Sequence, residues 1–262
     1  LIILGSAILL PFIWTVSSSL KPFGAGIKFP PEFIPEVFVW DNYPKVFRMI
    51  PFMTFFRNSV FVTGMALIGE LLSASMVAYS FARLRFPGRN LLFYMVLGTM
   101  MVPYPVTMVP TFIIFRLLDF VGTYLPLILP PFFGPAFSIF LLRQFFLTIN
   151  SELDEAAKVD GANEFTIYWR IILPLAKPAL ATIAIFSFMA NWNDFLTPLI
   201  YLQERDMFTL ALGVNFLRSF RGGGDLSVQM AASVMFMLPC IILYFIAQRN
   251  IVQGIVTTGL KG

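Results

Sequence analysis

The side chains that could carry chemistry in this sequence are few, and their types exclude most kinds of catalysis. The chain has no histidine and a single cysteine, Cys240. Zinc sites built from Cys and His, and acid–base catalysis by histidine, are therefore excluded. Gly222-Gly223-Gly224 is followed by Asp225 and not by lysine, so it does not fit a phosphate-binding P-loop. We predict no catalytic residue, no metal site and no cofactor in this chain.

A short polar run, Asn191-Trp192-Asn193-Asp194, interrupts an apolar stretch. Polar groups inside a bilayer are costly unless they face a helix bundle, water or a partner. Amide and carboxylate groups beside an aromatic ring suit sugars, because they bond hydroxyl groups while the ring covers the apolar sugar face. The same residues could instead join helices by interhelical hydrogen bonds. We assign these four residues, with the lone acid Glu70, to a candidate polar path through the membrane.

The densest charge lies in residues 151–174, between two apolar stretches. Ser151 followed three residues later by Asp154 fits a capping box, and acids in the first turn suit the positive end of the helix dipole. Gly161 should end this helix and form a corner, and Asn163 can cap a second short helix. The segment therefore predicts two short helices outside the membrane.

The rest of the sequence must place these groups within a membrane. The chain is 58% hydrophobic and only 12% charged, about half the charge of a soluble domain. We predict an all-α membrane protein, a single domain over residues 1–262 with six transmembrane helices of about 20 residues each. The net charge of +4 requires no nucleic acid partner. Leu1 is not an initiator methionine, so we expect residues before it. The spans lie at about residues 1–20, 58–81, 90–115, 124–148, 178–201 and 228–248.

Prolines interrupt the third and the fourth of these predicted spans. The third contains Pro103, Pro105 and Pro110. Proline leaves backbone carbonyl groups unpaired, and a neighbouring helix or a water-lined cavity must satisfy them. The prolines predict kinks, either around a pathway or for helix packing alone.

Basic residues indicate the orientation. Lys and Arg divide equally between the two sides when segment 151–174 is cytoplasmic. Arg83, Arg85 and Arg89, however, crowd a short loop without an acid, and such clusters next to spans favour the cytoplasmic side. With six spans, this loop, segment 151–174 and both termini are predicted to be cytoplasmic.

Residues 155–174 carry a pattern with many fixed positions. Glu155-Ala156-Ala157 is followed after three residues by Gly161, and then by Ile171 and Leu173-Pro174. This pattern resembles the EAA motif of ABC importer permeases. The resemblance implies that segment 151–174, here called the EAA segment, is a coupling loop that docks into a groove of an ATP-hydrolysing subunit. A polar loop that only caps the bundle is the alternative. The residues that the resemblance marks for coupling are Glu155, Ala156, Ala157, Asp160, Gly161 and Ala162.

A second set of motifs extends the resemblance over essentially the whole chain. It resembles carbohydrate importer permeases of the maltose-transporter type, which implies the type I ABC importer permease fold and a translocation path for a sugar. It also implies a second, different permease subunit, two ATP-binding cassette subunits that bind ATP and Mg, and an extracellular or periplasmic solute-binding protein. The expected location is the bacterial cytoplasmic (inner) membrane, surrounded by lipid. The motifs are Trp192-Asn193-Asp194-Phe195-Leu196, Pro198-Leu199, Ser19-Leu20-Lys21-Pro22, Asp41-Asn42-Tyr43, Asn58-Ser59 and a C-terminal tail that begins at Gln248-Arg249.

Other functions remain open at the level of sequence. A non-sugar solute such as glycerol phosphate is possible, although an anionic solute favours basic residues within the spans, where they are scarce. A secondary transporter would show internal repeats and a buried ionisable relay. A membrane-embedded enzyme would need a reactive constellation, and the sequence shows none.

Overall fold

The computed structural model describes residues 2–25, 32–219 and 225–259, and every regular element in these ranges is helical. This confirms the predicted all-α class. Two 3-10 turns, Pro130–Phe133 and Arg205–Met207, and a π-helical turn, Tyr168–Ile172, link some of the helices. The helices are α1 Ile2–Ser19, α2 Asn42–Met49, α3 Phe52–Arg83, α4 Arg89–Thr99, α5 Tyr104–Leu117, α6 Leu125–Ile128, α7 Ala136–Thr148, α8 Glu152–Val159, α9 Glu164–Ile167, α10 Leu173–Leu175, α11 Lys177–Trp192, α12 Leu196–Tyr201, α13 Leu210–Ser219 and α14 Leu226–Gly259.

The chain forms two compact units, each made of two segments. The first unit contains Leu1–Val60 and Asp194–Ile242, and the second contains Phe61–Asn193 and Leu243–Gly262. The single domain predicted over residues 1–262 stays a prediction. Helices α3 and α14 each contribute residues to both units.

Among the residues that the structure describes, three helical segments are long and apolar enough to cross a membrane: Phe52–Arg83, Leu125–Thr148 and Leu226–Gln248. They correspond to the second, fourth and sixth predicted spans. The first predicted span falls on α1, a helix of 18 residues, of which Ile8–Ser19 is an apolar helical stretch that is by itself shorter than a full crossing. The described residues thus give three spans, or up to five if two bent helix pairs each count as one span. The count of six stays a prediction.

The first bent pair is the third predicted span. Helices α4 and α5 meet at 98°. Pro103 precedes α5 in an extended conformation, with φ −69° and ψ 141°, and another proline occupies the first turn of α5. Since a residue before proline avoids the helical region and proline offers no N–H, the helix breaks here. The predicted kink is therefore present.

The second bent pair and a further break lie in the fifth predicted span. The helical stretch Glu164–Leu175 meets α11 at 77°. Helix α11 then ends at Trp192, so the fifth predicted span, about residues 178–201, is not one continuous helix, and Asn191 and Asp194 do not share a helix face. The reason is local: Asp194 Oδ1 accepts a hydrogen bond from the backbone N–H of Thr197 at 3.1 Å and caps α12.

In the second unit, small residues on α3 allow close helix packing. Ala74, Ala78 and Ala82 follow one another at intervals of four and are 0%, 0% and 9% exposed. They belong to one buried cluster with residues of α7, α8, α9 and α11. Small side chains let backbones approach within a membrane, where packing drives helix association. The EAA segment is therefore part of the core of this unit.

In the first unit, three residues of the family-like motifs bond to backbone. The Asn42 amide nitrogen donates to the carbonyls of Ser19 and Lys21, both at 2.9 Å. Asn58 donates to the carbonyl of Asp206 at 2.7 Å, and Ser59 Oγ accepts the N–H of Leu210 at 2.7 Å. These motifs hold irregular backbone in place around the helix ends.

The backbone of α14 continues past its apolar part to Gly259. Residues 249–262 are polar and contain three glycines, so we expect no further span there, and the resemblance to importer permeases implies that this tail contacts the ATP-binding cassette subunits. The side chains of that tail lie outside the described residues, so the predicted contact stays a prediction.

Candidate functional site

The EAA segment begins with a cap that differs from the predicted one. The Ser151 side chain makes no capping hydrogen bond, so the predicted capping box is wrong. Asn150 takes this role: its Oδ1 accepts the N–H of Glu152 at 3.1 Å, and its Nδ2 donates to the Glu152 carboxylate at 3.0 Å. Because Asn150 reaches the first N–H of the helix, the cap lies one residue earlier than the motif suggests.

The glycine corner is present as predicted. Gly161 has φ +82°, a conformation that L side chains rarely adopt. The N–H of Ala162 donates to the carbonyl of Ala157 at 2.9 Å and closes the end of α8. Asn163 Oδ1 then accepts the N–H of Thr166 at 2.8 Å and caps α9. The corner therefore fixes the direction of α8 relative to α9.

Helix α3 holds the EAA segment through three side chains at i, i+4 and i+8. We call Ser75, Tyr79 and Arg83 the α3 ladder. Spacing of four places them on one face of the helix, and each residue binds a different part of the EAA segment. The contacts are Ser75 Oγ with Tyr168 OH at 2.8 Å, Tyr79 OH with Glu164 Oε2 at 2.8 Å, and Arg83 Nε with Asp154 Oδ2 at 3.4 Å.

The charges of this region are paired in two different ways. Lys158 Nζ lies 2.7 Å from Glu164 Oε1 in an exposed ion pair, and the Lys158 ammonium holds the pKa of the Glu164 carboxyl below its ordinary value. Burial raises the pKa of the Asp154 carboxyl, and Arg83 and Lys158 offset this effect only in part. Arg83 also donates to the carbonyl of Ile149 at 2.7 Å. The buried contact therefore fixes α8 in position, while the exposed pair closes the corner.

The residues of the EAA motif divide between two faces of α8. Ala157 is 8% exposed and packs in the core of the unit. Glu155 and Ala156 are exposed, and Val159, which shares their face, is 88% exposed. Asp160 and Gly161 are exposed too, and Ala162 is half-buried. Helix α8 thus presents a small, partly apolar surface to the outside, together with the exposed carboxylates of Glu152 and Glu155.

An aromatic pair extends this exposed surface. Phe165 and Trp169 stack with ring centroids 6.3 Å apart and ring planes 11° apart. They are 65% and 54% exposed. Exposed stacked rings are suited to burial against another surface. We call Glu155, Ala156, Val159, Phe165 and Trp169 the outer face of the EAA segment.

Glu70 lies in a buried polar cluster that joins three helices. Its carboxylate accepts hydrogen bonds from Ser138 Oγ of α7 at 2.5 Å and from Ser187 Oγ of α11 at 2.6 Å. Glu70, Ser138 and Ser187 are 8%, 3% and 4% exposed. Asn191 in turn donates to the carbonyl of Ser187 at 2.8 Å. Glu70 therefore acts in this conformation as an interhelical joint.

The other predicted path residues lie around the end of α11. The Trp192 ring is 1% exposed and stacks on Phe188 at 5.3 Å. Asn193 is exposed and donates to the carbonyl of Met189 at 2.7 Å. Asp194 caps α12 as described above. Their part in a path stays a prediction, and their contacts show that each also supports local backbone or packing.

The sequence motifs do not predict the α3 ladder. Arg83 is predicted only as part of a basic loop, and no motif includes Ser75 or Tyr79. The interval of four from Ser75 through Tyr79 to Arg83 is the signal that could have revealed one polar face at the end of a span. The partners lie about 70 to 90 residues further along the chain, as the sequence separations of these contacts show, and no local pattern announces them.

Comparison with known proteins places the chain among importer permeases. Residues 70–257 match the family described as binding-protein-dependent transport system inner membrane component. The arabinooligosaccharides transport system permease protein AraQ of Halalkalibacterium halodurans is 37% identical over 88% of this chain and 82% of that protein. The diacetylchitobiose uptake system permease protein NgcG of Streptomyces coelicolor is 33% identical over 97% of this chain and 85% of that protein.

A third relative is named for a different kind of solute, and one solved structure has a fold similar to that of this chain. The sn-glycerol-3-phosphate transport system permease protein UgpE of Pectobacterium atrosepticum is 34% identical over 87% of this chain and 83% of that protein. A crystal structure of a bacterial ABC transporter involved in the import of the acidic polysaccharide alginate contains a similar chain. The TM-score is 0.85 at 27% identity, over 94% of this chain and 92% of that one.

The chain therefore belongs to the family of inner-membrane permeases of binding-protein-dependent ABC importers. The helical fold described above is that of an importer permease. Proteins of this family are transport proteins and not enzymes.

Proposed function

We propose that this chain is one permease subunit of an ATP-driven importer that moves a sugar or oligosaccharide into the cytoplasm. The names of two relatives, which transport arabinooligosaccharides and diacetylchitobiose, support a carbohydrate. The observation that carries the coupling role is the outer face of the EAA segment, which stays exposed while the α3 ladder holds the segment against the membrane helices.

The proposal includes a defined set of partners. A second, different permease subunit completes the pathway, and a solute-binding protein delivers the solute. Two ATP-binding cassette subunits bind ATP and Mg and hydrolyse the nucleotide, so this chain has no cofactor of its own. The family description, which names a binding protein and the inner membrane, supports this arrangement.

The proposed orientation places the EAA segment in the cytoplasm. Arg83 contacts Asp154, so the basic turn after α3 and the EAA segment lie at the same end of the second unit. Both features favour the cytoplasm in the sequence, and their contact supports a single side for them. Both chain termini are then cytoplasmic too.

Coupling follows from the contacts of α8. Closure of the ATP-binding subunits around ATP displaces the groove in which α8 lies. The ladder contacts then pass this displacement to α3, and the helices joined at Glu70 move with it. Asn191, Asn193 and Asp194 are the polar residues that we expect to meet the solute or the partner permease as the helices rearrange.

Cysteine cross-linking tests the docking step. In a chain in which Cys240 is first replaced by serine, Val159→Cys on the outer face should form a cross-link to the ATP-binding subunit in membranes. Ala157→Cys, on the same helix but buried, should form none. Glu155→Lys should weaken co-purification of the ATP-binding subunit, and Glu204→Lys, an exposed acid of the first unit, should not. Normal co-purification with Glu155→Lys and no cross-link from Val159→Cys would show that the EAA segment only caps the helix bundle and does not dock to the ATP-binding subunit.

Glycerol phosphate is the second candidate solute, and the relative from Pectobacterium atrosepticum is the observation that favours it. Uptake into vesicles that contain the assembled importer and its binding protein separates the two proposals. Competition by an arabinooligosaccharide supports the carbohydrate. Competition by glycerol phosphate alone supports the alternative and leaves the coupling role intact.

A further inference from the structure

A pocket of about 400 Å³ lies at the turn between α3 and α4. Arg85, Phe86, Gly88, Arg89, Asn90 and Leu91 line it. It contains two guanidinium groups and no carboxylate. The proposed transport function makes no use of this pocket, because neither the outer face of the EAA segment nor the polar cluster at Glu70 contributes to its lining.

The positive charge around this pocket is not neutralised within the described chain. Arg85 is exposed, and Arg89 donates only to the carbonyl of Leu84, at 3.2 Å. Arg143 of α7 donates to the carbonyl of Phe81 at 3.3 Å. It covers the ring of Phe93 at 4.0 Å. None of these three arginines forms an ion pair with an acidic residue that the structure describes. An anion is the complement that is missing.

The surface that continues from the pocket is apolar. Leu91, Tyr94 and Met95 lie on one face of α4 and are 60%, 66% and 57% exposed. Gly98 follows one turn later on the same face, and a Cβ there would meet nothing within 4 Å. A basic pocket therefore leads directly into an exposed apolar stripe. Tyrosine one turn from a cluster of arginines is typical of the boundary between headgroups and hydrocarbon.

We propose that this pocket binds the phosphate diester of an anionic phospholipid, with one acyl chain lying along Leu91, Tyr94 and Met95. The arrangement of charge and apolar surface selects a lipid over a soluble anion, because a soluble anion leaves the stripe uncovered. It also selects a lipid over an acidic protein surface, since an apolar helix face that begins at the pocket lies within the bilayer. The guanidinium group of one arginine can donate two parallel hydrogen bonds to two phosphate oxygens. Basic residues at the membrane surface also attract anionic lipids.

Native mass spectrometry of the transporter purified with the partner subunits that it retains tests the site. The probe is dioleoyl phosphatidylglycerol, with dioleoyl phosphatidylcholine as the neutral comparison. The wild type should bind the anionic lipid more tightly. Arg85→Gln/Arg89→Gln should weaken its binding by on the order of tenfold. Arg57→Gln/Arg116→Gln removes the same charge from exposed arginines outside the pocket and should change binding by less than about twofold. Equal losses in the two double variants would overturn the site.

Further measurements separate the remaining outcomes. Arg85→Lys/Arg89→Lys keeps the charge and should retain most of the binding, and Leu91→Glu should weaken it through the stripe alone. These two variants decide the matter if the glutamine variant does not assemble. Displacement of the lipid by excess inorganic phosphate would show an anion site without a lipid role, and overturn the proposal. So would loss of the ATP-binding subunit from Arg85→Gln/Arg89→Gln with lipid binding unchanged, which would place these arginines at a protein interface. The lipid-binding measurements do not depend on the docking of α8, so the two proposals can fail separately.

Discussion

At the scale of single residues, Gly161 has the most specific requirement. A Cβ at this position would meet no atom within 4 Å, so a side chain is not excluded by space. Its φ of +82° is the obstacle, and a left-handed conformation costs an L residue about 1–2 kcal/mol. The corner between α8 and α9 therefore depends on backbone freedom and not on packing.

Gly161→Ala should destabilise the corner by about 1 kcal/mol and lower transport, because α8 is then no longer held in one direction. Gly98→Ala is the matched control: it is also unobstructed, but it lies in a regular helix, where alanine is favourable. Hydrogen exchange of the α8 amides and uptake in vesicles measure the two effects. Equal behaviour of the two variants would remove the conformational argument.

At the scale of elements, α3 is held on two sides. The α3 ladder joins its C-terminal part to the EAA segment, and Glu70 joins it to α7 and α11. The EAA segment is stable as a short helical corner because these contacts supply what eight residues of helix lack on their own.

Tyr79→Phe removes one hydroxyl group and with it the bond to Glu164, while the ring keeps its packing. We expect a loss of about 1 kcal/mol in the attachment of the corner, normal co-purification of the ATP-binding subunit, and less solute imported per ATP hydrolysed. Tyr104→Phe, on an exposed tyrosine of α5, should change none of these. A normal ratio of transport to hydrolysis in Tyr79→Phe would show that the ladder positions nothing that coupling needs.

Glu70→Leu leaves the hydroxyl groups of Ser138 and Ser187 without their acceptor in a buried site. Each unpaired buried group costs about 1–3 kcal/mol, so the variant should unfold at a clearly lower temperature. Glu70→Gln keeps an acceptor oxygen, and it should lose less stability and retain transport. Thermal unfolding in detergent and uptake in vesicles provide the measurements. Loss of transport in a stable Glu70→Gln would return Glu70 to the solute path.

At the scale of the whole molecule, the sequence predicts what depends on neighbours along the chain. Apolar length predicts the three long spans, Pro103 predicts the break before α5, and the glycine and asparagine of the corner predict the end of α8 and the start of α9. The sequence does not predict the break at Asp194, because an aspartate inside an apolar run indicates a buried polar group as readily as a helix cap. Nor does it predict the partners of Glu70 and Tyr79, because these depend on which helices pack together. The division into two units has no sequence signal either.

Because α3 is one continuous helix, the directions of its side chains around the helix axis are fixed relative to one another. Each residue advances an α-helix by about 100°, so the ladder, five to thirteen residues after Glu70, points roughly 140–220° away from it. The two attachments thus fix the rotation of α3 from opposite sides. One residue inserted between Glu70 and Ser75 would turn every later side chain by about 100° and move it about 1.5 Å along the axis. Ala74, Ala78 and Ala82 would turn with the ladder, and bulkier neighbours would face the packed helices. The stretch between Glu70 and Arg83 therefore tolerates changes of residue type far better than changes of length, because only a fixed number of residues keeps both attachments in register.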